Sequence, residues 1–174
     1  TFTDPRGGIY RFTYDALGRL TRDEDPAGGV KMLTRTETPT GSSVAMSSGL
    51  GRTTTYQLER LVSGAQRHVI TDPSGASTER VTGTDGSLRT TYPDGTVEVL
   101  VPGADPRWGM QAPVLASLTR TTPGGLVQTI TGSRTATLAS ATDPFSLQTQ
   151  TDTLVVNGRT WTTVYQAASK TLTS

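Results

Sequence analysis

Alternation with a period of two runs through much of the chain. In Ile9-Tyr10-Arg11-Phe12-Thr13-Tyr14 the aromatics Tyr10, Phe12 and Tyr14 fall on one face, and Ile9, Arg11 and Thr13 on the other. Tyr56, Leu58, Arg60 and Val62 share a more mixed face, and over Thr96–Val101 the valines 97, 99 and 101 stand opposite Glu98 and Leu100. The clearest hairpin lies near the C-terminus. There Thr153–Val156 and Arg159–Tyr165 flank Asn157-Gly158, the pair that a two-residue type I′ turn prefers. Thr1-Phe2-Thr3 and Lys170–Ser174 also read as strand. Only Ala112–Leu118 is compatible with a turn or two of helix.

Between the strands the punctuation repeats. Asp4-Pro5-Arg6-Gly7-Gly8 recurs as Asp25-Pro26-Ala27-Gly28-Gly29, 21 residues on, and as Asp72-Pro73-Ser74-Gly75-Ala76 after a further 47. The aspartate can accept from backbone amides ahead of it, the proline sets φ, and the glycine takes positive φ, so each copy predicts a turn. A period near 21 points to one small supersecondary unit repeated, with degenerate copies or an insertion in the longer interval. Asp85-Gly86, Asp94-Gly95 and Pro123-Gly124-Gly125 are further turn signals. The expected fold is all-β: repeated antiparallel hairpins in one continuous curled sheet, with almost no helix. Alternation breaks over Pro102–Pro113. The expected division is therefore a hairpin array over 1–101, an irregular loop or linker over 102–117, and a Thr-rich continuation of the same array over 118–174.

Composition agrees and narrows the classes. The chain has 174 residues, of which 34 are threonine, 19 glycine and 10 proline, a mixture that suits half-buried strands and tight turns. A net charge of +1 argues against disorder, and it leaves no field to attract nucleic acid or an acidic membrane surface. No apolar run reaches the roughly 20 residues of a membrane-spanning helix. Without cysteine there is no disulfide and no thiolate metal site. Charge is uneven, with 11 basic and 12 acidic residues in 1–100 against five and three in 101–174.

Gly8–Thr21, which contains Tyr14-Asp15 and Gly18-Arg19-Leu20, is followed by Asp25-Pro26-Ala27-Gly28-Gly29. Together they closely resemble the RHS/YD repeat. Fragments of the same text return at Gly51–Tyr56, Asp72–Gly75 and Gly158–Tyr165. The resemblance implies a scaffold. Members of that family are large and exported or displayed at the cell surface, and their hairpins wind into a strip of sheet that closes as a hollow shell. In bacterial toxin systems the shell encloses a C-terminal toxic domain; the related teneurins of animals use theirs in adhesion. The self-cleaving aspartate site of the family's C-terminal core has no matching context here.

The expectation that follows is a non-catalytic structural segment of a larger secreted or cell-surface protein. It would form part of a shell wall that encloses or displays a cargo. The alternative is an extracellular fibre or adhesin subunit, assembled head to tail by strand pairing at open termini. Its partners would be neighbouring repeats of the same polypeptide, or other copies through edge strands, with no nucleic acid and no membrane insertion. A start at Thr1 and an end in strand text suggest a piece of something longer. The residues expected to carry the role are the punctuation itself: Asp4, Pro5, Gly7, Tyr14, Asp15, Gly18, Arg19, Asp25, Pro26, Gly28, Asp72, Pro73, Gly75, Asn157 and Gly158. Arg19 is placed to reach Asp15 or the turn carbonyls.

Other candidates read as structural, and no catalytic residue, cofactor or metal is expected. His68, the one histidine, has no second ligand beside it and no serine in a nucleophile-elbow context. Asp23-Glu24-Asp25 lacks the alternating ligands of a calcium loop. Trp108 reads as a loop anchor. Gly124-Gly125 lacks the lysine and helix of a phosphate loop. Asn157 is in no glycosylation sequon. A surface hydrolase or lyase using one of the fifteen acids is the remaining enzyme reading.

Overall fold

The computed structural model describes residues 1–174. Fifteen strands make one sheet whose strand order is the chain order, without a crossover and without helix. Two compact units divide the chain, Thr1–Val81 and Thr82–Ser174.

In the first unit the strands are β1 (Phe2–Thr3), β2 (Ile9–Tyr14), β3 (Leu20–Glu24), β4 (Val30–Thr38), β5 (Gly41–Ser48), β6 (Thr53–Arg60), β7 (Gln66–Thr71) and β8 (Ser77–Thr82), the last ending one residue past the division. Residues opposite one another in an antiparallel pair share a face, so the register sorts the side chains. Phe2 is opposite Tyr10, Val44 opposite Tyr56, Tyr56 opposite Ile70, and Leu58 opposite His68. Phe12, Tyr14, Leu33 and Met46 share that face, and so do Asp23, Lys31, Arg35 and Glu37, so its apolar side chains form patches separated by charge. The other face is mostly polar, with Arg11, Thr13, Arg22, Thr34, Thr36, Ser43, Gln57 and Arg67, but it also holds Val30, Met32 and the buried Val69. Little is covered. Ala65 and Val69 are the only buried apolar residues of the chain, whereas Phe2, Tyr14, Tyr56, Leu58 and Ile70 are all exposed. Val62, expected on a strand face, lies in the β6–β7 turn and is fully exposed, because Leu61–Ala65 closes that turn.

The second unit holds β9 (Leu88–Thr91), β10 (Val97–Asp105), β11 (Gly109–Thr121), β12 (Val127–Leu138), β13 (Leu147–Val156), β14 (Arg159–Gln166) and β15 (Thr171–Thr173). Burial along β12 alternates without a break. Thr129, Thr131, Ser133, Thr135 and Thr137 are exposed, while Ile130, Arg134, Ala136 and Leu138 are half-buried. The register continues the hydroxyl face through Thr149, Thr151 and Thr153 to Thr162. Leu118, Ile130, Val156, Leu154 and Trp161 share the opposite face.

One expectation fails here, and the one stretch compatible with helix is strand. Residues 102–117 are not a loop or linker, and Ala112–Leu118 is not helical. Both stretches belong to the β10–β11 hairpin, whose turn spans residues 106–108. Register shifts at Val101/Pro102 and Gly103/Asp105 offset the alternation there, and this broke the sequence pattern.

Candidate functional site

The recurring chemistry is the turn, built from backbone demand upward. In the copy at Asp4 the Gly7 N–H donates to the Asp4 carbonyl at 3.0 Å, and the Asp4 N–H donates to the Gly8 carbonyl at 2.9 Å. Gly7 has φ of +83°. This is a type I turn completed by a left-handed glycine. The Asp4 carboxylate accepts from the N–H groups of Arg6 and Gly8, both at 2.8 Å. Asp25 repeats the arrangement with Ala27 and Gly29, and Asp72 with Ser74 and Ala76. At Asp15 the acceptors serve Leu17 and Arg19, and the Arg19 Nε closes back onto Asp15 at 2.8 Å. Tyr14 ends β2 immediately before that turn.

The same backbone bonds occur at Ser48, Leu61, Gly83, Tyr92 and Thr122, each with a glycine at positive φ three residues on. Nine turns therefore share one geometry, and the unit between successive turns is about 11 residues in the regular stretches, as from Asp4 to Asp15 and from Leu61 through Asp72 to Gly83. The 21-residue repeat is two such steps, a strand out and a strand back. The 47-residue interval from Asp25 to Asp72 holds four strands, β4 to β7.

Residues 1–30 match the family model described as RHS Repeat. The chain carries an RHS repeat. RHS repeats are structural elements, and the matched segment spans the Asp4, Asp15 and Asp25 turns. No curated protein matches the chain.

Beyond the RHS segment, the Asn157-Gly158 turn has φ of +46° and +84°, the paired positive values of a type I′ turn. Its Asn157 side chain also accepts from the Thr129 N–H at 2.9 Å, tying the turn to β12.

Electrostatics at the turns favour the charged carboxylates. Asp15 is held below the usual carboxylate range by the Arg19 N–H and then by the Arg19 guanidinium. Asp72 is lowered first by the Ser74 hydroxyl, Asp85 by the Ser87 hydroxyl, and Asp94 by the Thr96 N–H.

The second unit contains a polar cluster that sequence reasoning missed. The Asp105 side chain is almost wholly buried at the β10–β11 turn. It accepts from the N–H groups of Arg107 and Trp108 at 2.7 and 3.1 Å, and from the Arg134 Nη1 at 3.0 Å. Arg134 also pairs with Asp152, its register partner on β13. Gln150 donates to Asp152 and accepts from Arg107, both at 2.9 Å. Burial works against the Asp105 charge, but the Arg107 N–H and Arg134 outweigh it and the carboxyl stays below its ordinary value. Beside the cluster Trp108 meets Phe145 edge-on, ring centroids 5.2 Å apart. The cluster thus fastens the β10–β11 tip onto β12 and β13. Arg134 and Asp152 lie 18 residues apart, so only the strand register shows them as partners.

Of the remaining candidates, His68 is exposed on β7 opposite Leu58. Glu24 pairs with Arg11 and Arg22, while the Asp25 oxygen is taken by turn amides, so Asp23-Glu24-Asp25 does not converge. No group of three or more metal-ligating side chains comes together.

Proposed function

We propose that this chain is a non-catalytic structural segment of a larger RHS-repeat protein, serving as wall material that encloses or displays a cargo. One observation carries the reading. Nine turns of a single geometry space strands in chain order, and the sheet they build leaves apolar side chains uncovered in the first unit, among them the patch of Tyr56, Leu58 and Ile70. Sheets bury such side chains against a second layer, so wall material with contents or a facing wall suits the pattern. Proteins with RHS repeats are generally extracellular or at the cell surface, and the proposal places this one there.

The test is particle shape. The full-length protein bearing this segment should image as a hollow particle and sediment as a discrete species. Long polymers would favour the fibre subunit instead, and a solid globule would overturn both readings.

A further inference from the structure

Among the acidic side chains Asp23 is the exception. The others accept from backbone amides or hydroxyls, or pair with arginine, as Asp4, Asp25, Glu24 and Glu37 do. Asp23 is half-buried near the end of β3 and does neither. Its register partners are Phe12 on β2 and Lys31 on β4, so the three side chains share one face. Even so, Asp23 and Lys31 form no ion pair, and the Lys31 ammonium is likewise without a carboxylate.

A cavity of about 440 Å³ lies beside Asp23, lined also by Tyr10, Phe12, Asp25, Gly29 and Lys31. Alternation along two strands places them there. Tyr10 and Phe12 are two residues apart on β2, so both rings stand on the Asp23 face. Asp23 and Asp25 are spaced alike, whereas Glu24 between them turns to the other face and pairs with Arg11 and Arg22. The Asp25 Oδ1 takes the amides of Ala27 and Gly29, which leaves Oδ2 without a partner. A methyl on Gly29 would collide with that oxygen, so the glycine preserves its place at the cavity. Phe2 extends the aromatic wall, its ring centroid 5.7 Å from that of Tyr10.

We propose that this cavity binds a guanidinium group on a short apolar stem. Negative charge beside aromatic faces selects an organic cation, because a ring attracts positive charge over its face. Two carboxylates fall short of the about six oxygens that a hard metal ion takes, and no third metal-ligating side chain joins them. The planar cation suits the place better than an ammonium. Its face stacks on Phe12 or Tyr10 while its edge donates to Asp23 and to the free Asp25 oxygen. Lys31 stands on the side of Asp23 away from Phe12, so its charge opposes any cation and holds the affinity down. The site rests on β2, β3 and β4 alone, and it is the same in a shell wall and in a fibre.

The experiment titrates the whole chain with ethylguanidinium and follows the ring protons of Tyr10 and Phe12 by NMR. The controls are N-ethylurea, neutral and of similar shape, and ethylammonium, charged but not planar. Ethylguanidinium should shift both rings with a dissociation constant of roughly 10 mM, the strength of one charge-assisted hydrogen bond and one ring contact. Ethylammonium should bind about threefold more weakly, and N-ethylurea should leave the rings unmoved. Asp23→Asn and Phe12→Leu should each weaken binding about fivefold. Lys31→Met should tighten it about threefold, a gain that a damaged fold does not produce. A blocked Gly-Arg-Gly peptide separates the two sources of such a group. Tighter binding than ethylguanidinium assigns the site to an arginine of a polypeptide chain, and equal or weaker binding assigns it to a free guanidino compound. Unmoved rings at about 100 mM ethylguanidinium, ten times the expected constant, would overturn the proposal. N-ethylurea binding as well as the cation, or unchanged binding in Lys31→Met, would do the same.

Discussion

Single aspartates do two different jobs in this chain, and burial separates them. At Asp15 and Asp72 the carboxylate accepts from turn amides at the surface, and each folded pKa lies below the ordinary value. A group lowered on folding contributes stability above its unfolded pKa and loses it as pH falls through the folded one. The midpoint of urea unfolding should therefore hold from neutrality down to about pH 4 and fall below it. Asp72→Asn keeps an acceptor oxygen but cannot titrate, so its unfolding midpoint should decline less between pH 5 and strong acid than that of the parent. Asp105 is a different case, since its side chain is buried and joins two turn amides to Arg134. Asp105→Ala leaves those donors without a partner at neutral pH, at a cost of about 3 kcal/mol. The exposed register pairs Arg11–Glu24 and Glu98–Arg120 should lose under about 1 kcal/mol when one partner is removed. Chemical denaturation of the three single variants at pH 7 checks the order.

At the scale of strands and turns, the glycines at positive φ mark where the chain must reverse. Gly158→Ala forces a methyl-bearing residue to φ of +84° in a two-residue turn and should cost about 1 kcal/mol or more. Gly49→Ala is the control. Gly49 is not among the glycines at positive φ, and an added methyl would meet Val30 at an ordinary 3.8 Å, so the unfolding midpoint should barely move. The same distinction explains what the sequence disclosed. Asp-Pro-x-Gly and Asn-Gly state their own backbone conformation, which is why the turns at Asp4, Asp25, Asp72 and Asn157 were legible as words. The turns at Ser48 and Leu61 have no aspartate to announce them. Their only signal is Gly51 and Gly64 at the fourth turn position, at spacings of 13 and 11 residues before the next turn. The β10–β11 hairpin was hidden because its bulges shift the alternation at Pro102 and Gly103, the residues that look like loop text. The Asp105 cluster stayed out of view for a related reason: its members meet only once β10, β12 and β13 are in register.

For the whole molecule, the decisive property is how few apolar side chains are withdrawn from water. Val69 and Ile70 are neighbours in β7 and point to opposite faces, at 8% and 46% exposure. If the sheet is wall material, the two should respond differently to substitution depending on what surrounds the segment. In the chain alone, Val69→Ala removes buried methyls and should cost about 1–2 kcal/mol, whereas Ile70→Thr keeps the β-branch and loses little, under about 0.5 kcal/mol. In the full-length protein the ranking should change. There Ile70, Leu58 and Tyr56 would face contents or an opposing wall, and Ile70→Thr should cost about as much as a buried substitution, about 1–2 kcal/mol. Thermal unfolding of both variants, in the isolated chain and in the full-length protein, measures the difference directly. An Ile70→Thr effect that stays small in both settings would mean that the apolar patch remains in water, and the wall reading would then lose its main support.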